Sequence, residues 1–74
     1  MEFIVVVHRA EEGGFWAEVP ALDGCFAQGE TVEEVLLEAR SAIESHLVAL
    51  AEDGRAIPQE GGVIVATVRA MEPA

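Results

Sequence analysis

From Glu30 to Asp53 the sequence has neither glycine nor proline, and Gly29 and Gly54 bracket that stretch. It is the longest uninterrupted segment of the chain, and its ends carry helix signals. Thr31, followed three residues on by Glu34, is a capping-box pair whose hydroxyl accepts a backbone N–H of the first turn. Glu33 and Glu34 suit the positive end of the helix dipole. Gly54 offers the C-terminal stop and Pro58 prevents resumption. A helix is predicted over residues 31–53. At about 100° per residue, Val32, Leu36, Ala39, Ile43, Leu47 and Leu50 form one apolar stripe, expected to pack on a sheet. His46 lies beside that stripe as a core-edge histidine. Leu37 and Val48 fall on the far side with Ser41 and Glu44, either as scattered exposed aliphatics or as part of a contact surface.

The rest of the chain reads as strands and turns. Phe3-Ile4-Val5-Val6-Val7 is a continuous apolar, β-branched run, which suits a strand over residues 3–8 buried on both faces. Glu11-Glu12-Gly13-Gly14 reads as a hairpin turn. A second strand covers residues 15–19 and ends at Pro20, which cannot donate to a ladder. Ala21-Leu22-Asp23-Gly24 is a turn, residues 25–28 a short third strand, and Gly29-Glu30 its break. After the helix, Gly61-Gly62 leads into a fourth strand over residues 63–68, and the last residues fray. The predicted class is α+β, ordered β-β-β-α-β. The three-strand meander and a crossover helix place the fourth strand beside the first, in sheet order 3-2-1-4. One helix covers one face of such a sheet. Along the second strand Phe15, Ala17 and Val19 point one way and Trp16 and Glu18 the other. If the first set meets the helix, Trp16 lies on the uncovered face, as a subunit or partner contact or covered by loops of its own chain.

The 74 residues make one domain, spanning 1–74. A domain of this size buries only about 60% of the surface its unfolded chain exposes and needs help to be stable. Cys25 is the single cysteine, so an intrachain disulfide is excluded, and His8 and His46 make a poor metal set with it. No cofactor or metal is expected, and self-association into a dimer or tetramer is the expected source of stability. The net charge is −10, from 14 acidic and 4 basic residues. Phosphate binding runs on Lys and Arg, so direct nucleic-acid binding and acidic lipid surfaces are disfavoured. The natural partner of an acidic surface is a basic protein, though charge of this size also serves solubility. No apolar run approaches the ~20 residues of a membrane span, and Met1-Glu2-Phe3-Ile4 lacks the basic start of a signal peptide. A cytoplasmic location is expected.

Catalysis requires convergent polar groups, and the chain offers few. Ser41 and Ser45 lie on the polar helix face without a nucleophile elbow. Cys25 sits in a strand-like setting and reads as a small hydrophobe. Gly13-Gly14 and Gly61-Gly62 are turns, with no phosphate loop, dinucleotide fingerprint or zinc spacing. Glu18 and Asp23 flank a proline turn, either as a carboxylate pair or as a solvated rim and a turn-favouring aspartate. No catalytic residue is assigned.

The segment Phe15-Trp16-Ala17-Glu18-Val19-Pro20, then Leu22-Asp23-Gly24-Cys25, then Gly29-Glu30-Thr31 and the helix start Val32-Glu33-Glu34-Val35, resembles the signature of HicB-like antitoxin domains. Ala42-Ile43-Glu44 and the exit Glu52-Asp53-Gly54-Arg55-Ala56-Ile57-Pro58 extend the likeness over nearly the whole chain. The resemblance implies a partial RNase H-like fold without the nuclease's carboxylates. It implies a partner of HicA type, a small basic toxin that cleaves mRNA and whose active surface the antitoxin covers. Oligomers are common in the family. Many members also carry a C-terminal DNA-binding segment of ribbon-helix-helix or helix-turn-helix type. This chain ends at Ala74, just past the fourth strand, so no such segment and no direct operator binding are expected. Ala21 stands where the family often has an acid.

The function expected first is therefore non-catalytic masking of a basic toxin, with candidate interface residues Trp16, Glu18, Leu37, Glu38, Glu44 and Val48. A solitary self-associating module without a toxin is the alternative. A degenerate metal-dependent hydrolase is third, because only Glu18 and Asp23 are on hand where two-metal chemistry needs several carboxylates.

Overall fold

The computed structural model describes residues 1–58 and 64–73. Three strands, β1 (Val6–Arg9), β2 (Phe15–Glu18) and β3 (Phe26–Gly29), precede one helix, α1 (Val32–Glu52). The strands form an antiparallel meander in the order β1-β2-β3. The class is α+β with a three-stranded sheet and one helix.

Local chemistry explains each boundary. In the first hairpin Gly13 N–H donates to Ala10 O and Ala10 N–H to Gly14 O, at 3.2 and 3.1 Å. That turn needs left-handed backbone at Gly13 and Gly14 (φ 99° and 75°), which glycine adopts at no steric cost. It sets the register Val7 to Ala17 and His8 to Trp16. The second connection is two tight turns in series, with Leu22 N–H donating to Val19 O and Cys25 N–H to Leu22 O. Those turns fold Val19, Leu22 and Cys25 inward as the central core cluster, with Phe3, Val5, Ala42, Ile43, Leu47 and Leu50 packed around it.

The helix matches its caps. Thr31 Oγ1 accepts from Glu34 N–H at 3.1 Å, the half of the capping box the structure shows. At the other end Arg55 N–H donates to Leu50 O and Gly54 N–H to Ala51 O, with Gly54 at φ 69°. This is the Schellman arrangement, which only a residue at ease in the left-handed region completes without strain.

Three expectations need correction. First, β1 begins at Val6 rather than residue 3; Phe3 and Val5 are partly buried residues packed against the core. Second, the helix stripe departs from expectation at its first turns, while Ala39 is buried and Ile43, Leu47 and Leu50 pack against the core as expected. Val35 and Ala39 are its buried residues, whereas Val32 and Leu36, assigned to the stripe, are each 45% exposed. Third, of the expected order 3-2-1-4 the described residues give only the 3-2-1 part. Gly61, Gly62 and Val63, the predicted entry to the fourth strand, lie outside the described residues, and residues 64–68 form no strand.

Among the described elements the helix packs mainly on β3 and β2, with Val35 and Ala39 fully buried. Leu36, Ile43 and Leu47 also line an open groove with Met1, Phe3, Val5, Arg40 and Glu44. Beyond the helix, Ile64, Val65 and Val68 are 91%, 77% and 90% exposed. The radius of gyration, 15.1 Å, exceeds the ~11 Å of a compact domain of this length, as an unpacked segment requires.

A candidate protein-binding face

Strand alternation decides which side chains the helix covers. Ala17 is fully buried and Val19 nearly so, which puts the Phe15-Ala17-Val19 side of β2 against α1. Trp16 and Glu18 therefore project from the opposite, uncovered face, as the sequence predicts. The cross-strand register then builds a cluster there. His8 and Gln28 stand directly opposite Trp16 on the two neighbouring strands, and Phe26 opposite Glu18.

The imidazole of His8 stacks on the indole of Trp16, with ring centroids 4.2 Å apart and planes 15° from parallel. Phe26 tilts toward the other side of the indole at 6.4 Å. His8 Nε2 also donates to Glu18 Oε2 at 2.7 Å, with both side chains well exposed to solvent. The pair thus orders the surface more than it stabilises the fold. Phe26 remains 60% exposed and Trp16 36%. Around this aromatic centre lie acids. Trp16 shares one shallow depression with Glu12, Glu30 and Glu34, and another with Glu11, Glu12 and Arg9. A flat aromatic centre with a charged rim is the anatomy of a protein-binding hot spot.

The other predicted residues do not join this cluster. Leu37, Glu44 and Val48 recur at helical spacing on the outer face of α1, away from the sheet, with Leu37 and Val48 exposed. Glu38 is also exposed, about a quarter-turn round the helix from that line. Glu44 pairs with Arg40 at 3.7 Å, so its charge is partly balanced on its own helix. The predicted interface thus divides between two surfaces on opposite sides of the molecule. Sequence reasoning missed His8, Phe26 and Gln28. The Glu11-Glu12-Gly13-Gly14 turn held the signal, because fixing the hairpin register puts His8 across from Trp16.

Among the described residues no other cluster of reactive groups assembles. Glu18 is held by His8 rather than paired with Asp23. Cys25 is buried, and burial pushes its thiol pKa up, which keeps it protonated and a weak nucleophile. Among the described residues no group of three or more His, Cys, Asp or Glu could hold a metal ion. No helix among them is long and apolar enough to cross a membrane.

Over residues 3–72 the chain matches the family described as "HicB_like antitoxin of bacterial toxin-antitoxin system". A UPF0150 protein of Thermoplasma acidophilum is 35% identical to it over 60 residues, covering 81% of this chain and 87% of that protein. A UPF0150 protein of Helicobacter pylori is 35% identical over 65 residues, covering 88% of this chain and 90% of that protein. A Synechocystis UPF0150 protein reaches 58% identity over a shorter stretch of 38 residues, 51% of this chain and 52% of that protein. With a family match across nearly its whole length, the chain belongs to the HicB-like antitoxin family.

Proposed function

We propose that this protein is a non-catalytic antitoxin that binds a small basic RNA-cleaving toxin of HicA type and masks its active surface. The observation that carries this reading, beside family membership, is the uncovered sheet face. It presents Trp16, His8 and Phe26 as an aromatic centre within a rim of Glu11, Glu12, Glu30 and Glu34. Such a face supplies apolar contact at its middle and steering charge at its edge, which fits a basic partner.

The net charge of −10 supports the same assignment. Acidic protein meeting basic toxin gives a fast, salt-sensitive association. The same charge gives the chain no footprint for a phosphate backbone, so masking rather than direct nucleic-acid binding is assigned. A cytoplasmic location follows from a partner that cleaves mRNA. The partial RNase H-like fold implied by the resemblance begins β-β-β-α, the order that the described elements follow.

The test is co-purification from the native cell at low salt. A stoichiometric small basic protein that elutes as salt rises supports the reading. A chain that retains none, even when a HicA-type toxin is added in excess, overturns it.

A further inference from the structure

Two features of this chain have no partner among the described residues, and they fit each other. One is the groove between α1 and the segment that leads into β1, floored by Phe3, Val5, Leu36, Ile43 and Leu47. Beside it runs an open sheet edge, since β1 is the outer strand and pairs only with β2 among the described elements. The ladder places its backbone groups. Ala10 N–H bonds Gly14 O, so the alternate residues Val6 and His8 face β2, and the N–H and C=O of Val7 and Arg9 point outward. An open edge over an apolar floor is a template for one more strand.

The other feature is residues 64–68. Ile64-Val65-Ala66-Thr67-Val68 has the β-branched composition of a strand, yet its large side chains are 77–91% exposed. In an extended chain Ile64, Ala66 and Val68 share one wholly apolar face, the kind that covers Phe3, Val5 and Leu36. The segment carries little charge, with no acid and one base, Arg69, from residue 61 to residue 71, and the groove rim holds one balanced pair, Arg40 with Glu44.

We infer that residues 64–68 of one copy add a strand to the β1 edge of a second copy, and that the exchange is reciprocal. The single chain leaves its own segment out of its own groove, so the occupant comes from another molecule. Two copies related by a twofold axis satisfy both grooves and both segments at once, and exchanging an element in this way is a low-cost route to a dimer. The sheet of each protomer then has four strands, and Leu36 and Ile43 are covered. This inference does not rest on toxin binding; it describes how the protein associates with itself.

The experiment uses the full chain. Light scattering should give twice the mass of one chain, and Ile64→Lys combined with Val68→Lys should halve that mass while leaving the helical circular dichroism in place. Should the double variant fail to fold, the unmodified protein still decides the matter. In a mixture of isotope-labelled and unlabelled chains, isotope-filtered NOEs should connect methyls of Val5 and Val7 with those of Ile64 and Val68 between molecules. A monomer, a dimer whose mass the substitutions do not change, or NOEs confined to one molecule would each overturn the inference.

Discussion

The imidazole of His8 lies 4.2 Å from the indole of Trp16 and only 15° from parallel to it, on the sheet face that the helix leaves uncovered. The stack presents the indole as a flat, fixed surface. A side chain ordered before binding loses less conformational entropy when a partner covers it. Trp16→Ala should therefore weaken toxin binding by about 2 kcal/mol or more, the loss typical of a central aromatic anchor. Thermal unfolding should hardly change, because the ring is partly exposed. Titration calorimetry with a HicA-type toxin, paired with a melting curve, separates the two effects.

His8→Ala should remove the stack and the bond to Glu18 without emptying the core. The single tryptophan makes this easy to read. Its emission should shift to the red, and toxin affinity should fall by less than for Trp16→Ala. Unchanged emission would show that the stack does not shape the environment of Trp16 in solution.

A second close relationship is hidden in the backbone. A Cβ on Gly29 would stand 2.6 Å from Val35 N and 2.9 Å from Glu34 Cβ, where β3 crosses the start of α1. Neither neighbour can yield, as both belong to the capped first turn. Gly29→Ala should cost about 2–3 kcal/mol, in the range of core overpacking, and should lower the urea midpoint without changing the slope. Gly24→Ala is the control for added bulk. Its Cβ meets nothing within 4 Å, so only the strain of its positive φ remains.

Leu22 sits in a turn and is only 2% exposed. With Val35 it is one of the two largest fully buried side chains. Leu22→Ala should cost about 2–5 kcal/mol, as for other buried leucines. In a domain this small that approaches the whole stability, and hydrogen exchange should show β2, β3 and α1 losing protection together.

Burial raises the thiol pKa of Cys25, so the fold favours its protonated form. Its contribution to stability is full below the ordinary thiol pKa of about 8.5. It is lost as pH rises through the higher folded value. Unfolding midpoints should be insensitive to Cys25 ionisation near neutrality and fall at alkaline pH, and less so in Cys25→Ala. A thiol reagent should react slowly with the native protein and rapidly in denaturant.

Much of this was legible in the sequence because the signals were local. Thr31 and Gly54 fix the ends of α1, and β2 alternation puts Trp16 and Ala17 on opposite faces. Other features depended on which neighbours were present. The run Phe3-Ile4-Val5-Val6-Val7 reads as a strand buried on both faces, yet β1 begins at Val6 and is only partly buried, and Leu36 of the helix stripe is 45% exposed. A single chain's sequence says that such surfaces want a cover, not whether the same molecule supplies it. Leu22 was read as a turn residue because turn chemistry at Asp23-Gly24 obscured its inward direction. His8 and Phe26 needed the strand register, which periodicity along one strand does not contain.

The central claim is tested most directly by measuring RNA cleavage by a purified HicA-type toxin while this protein is titrated in, at low and at high salt. The account predicts stoichiometric loss of cleavage at low salt, weaker inhibition as salt rises, and a right-shifted titration for Trp16→Ala. Cleavage that continues undiminished at a large excess of the folded protein, at either salt concentration, would contradict it.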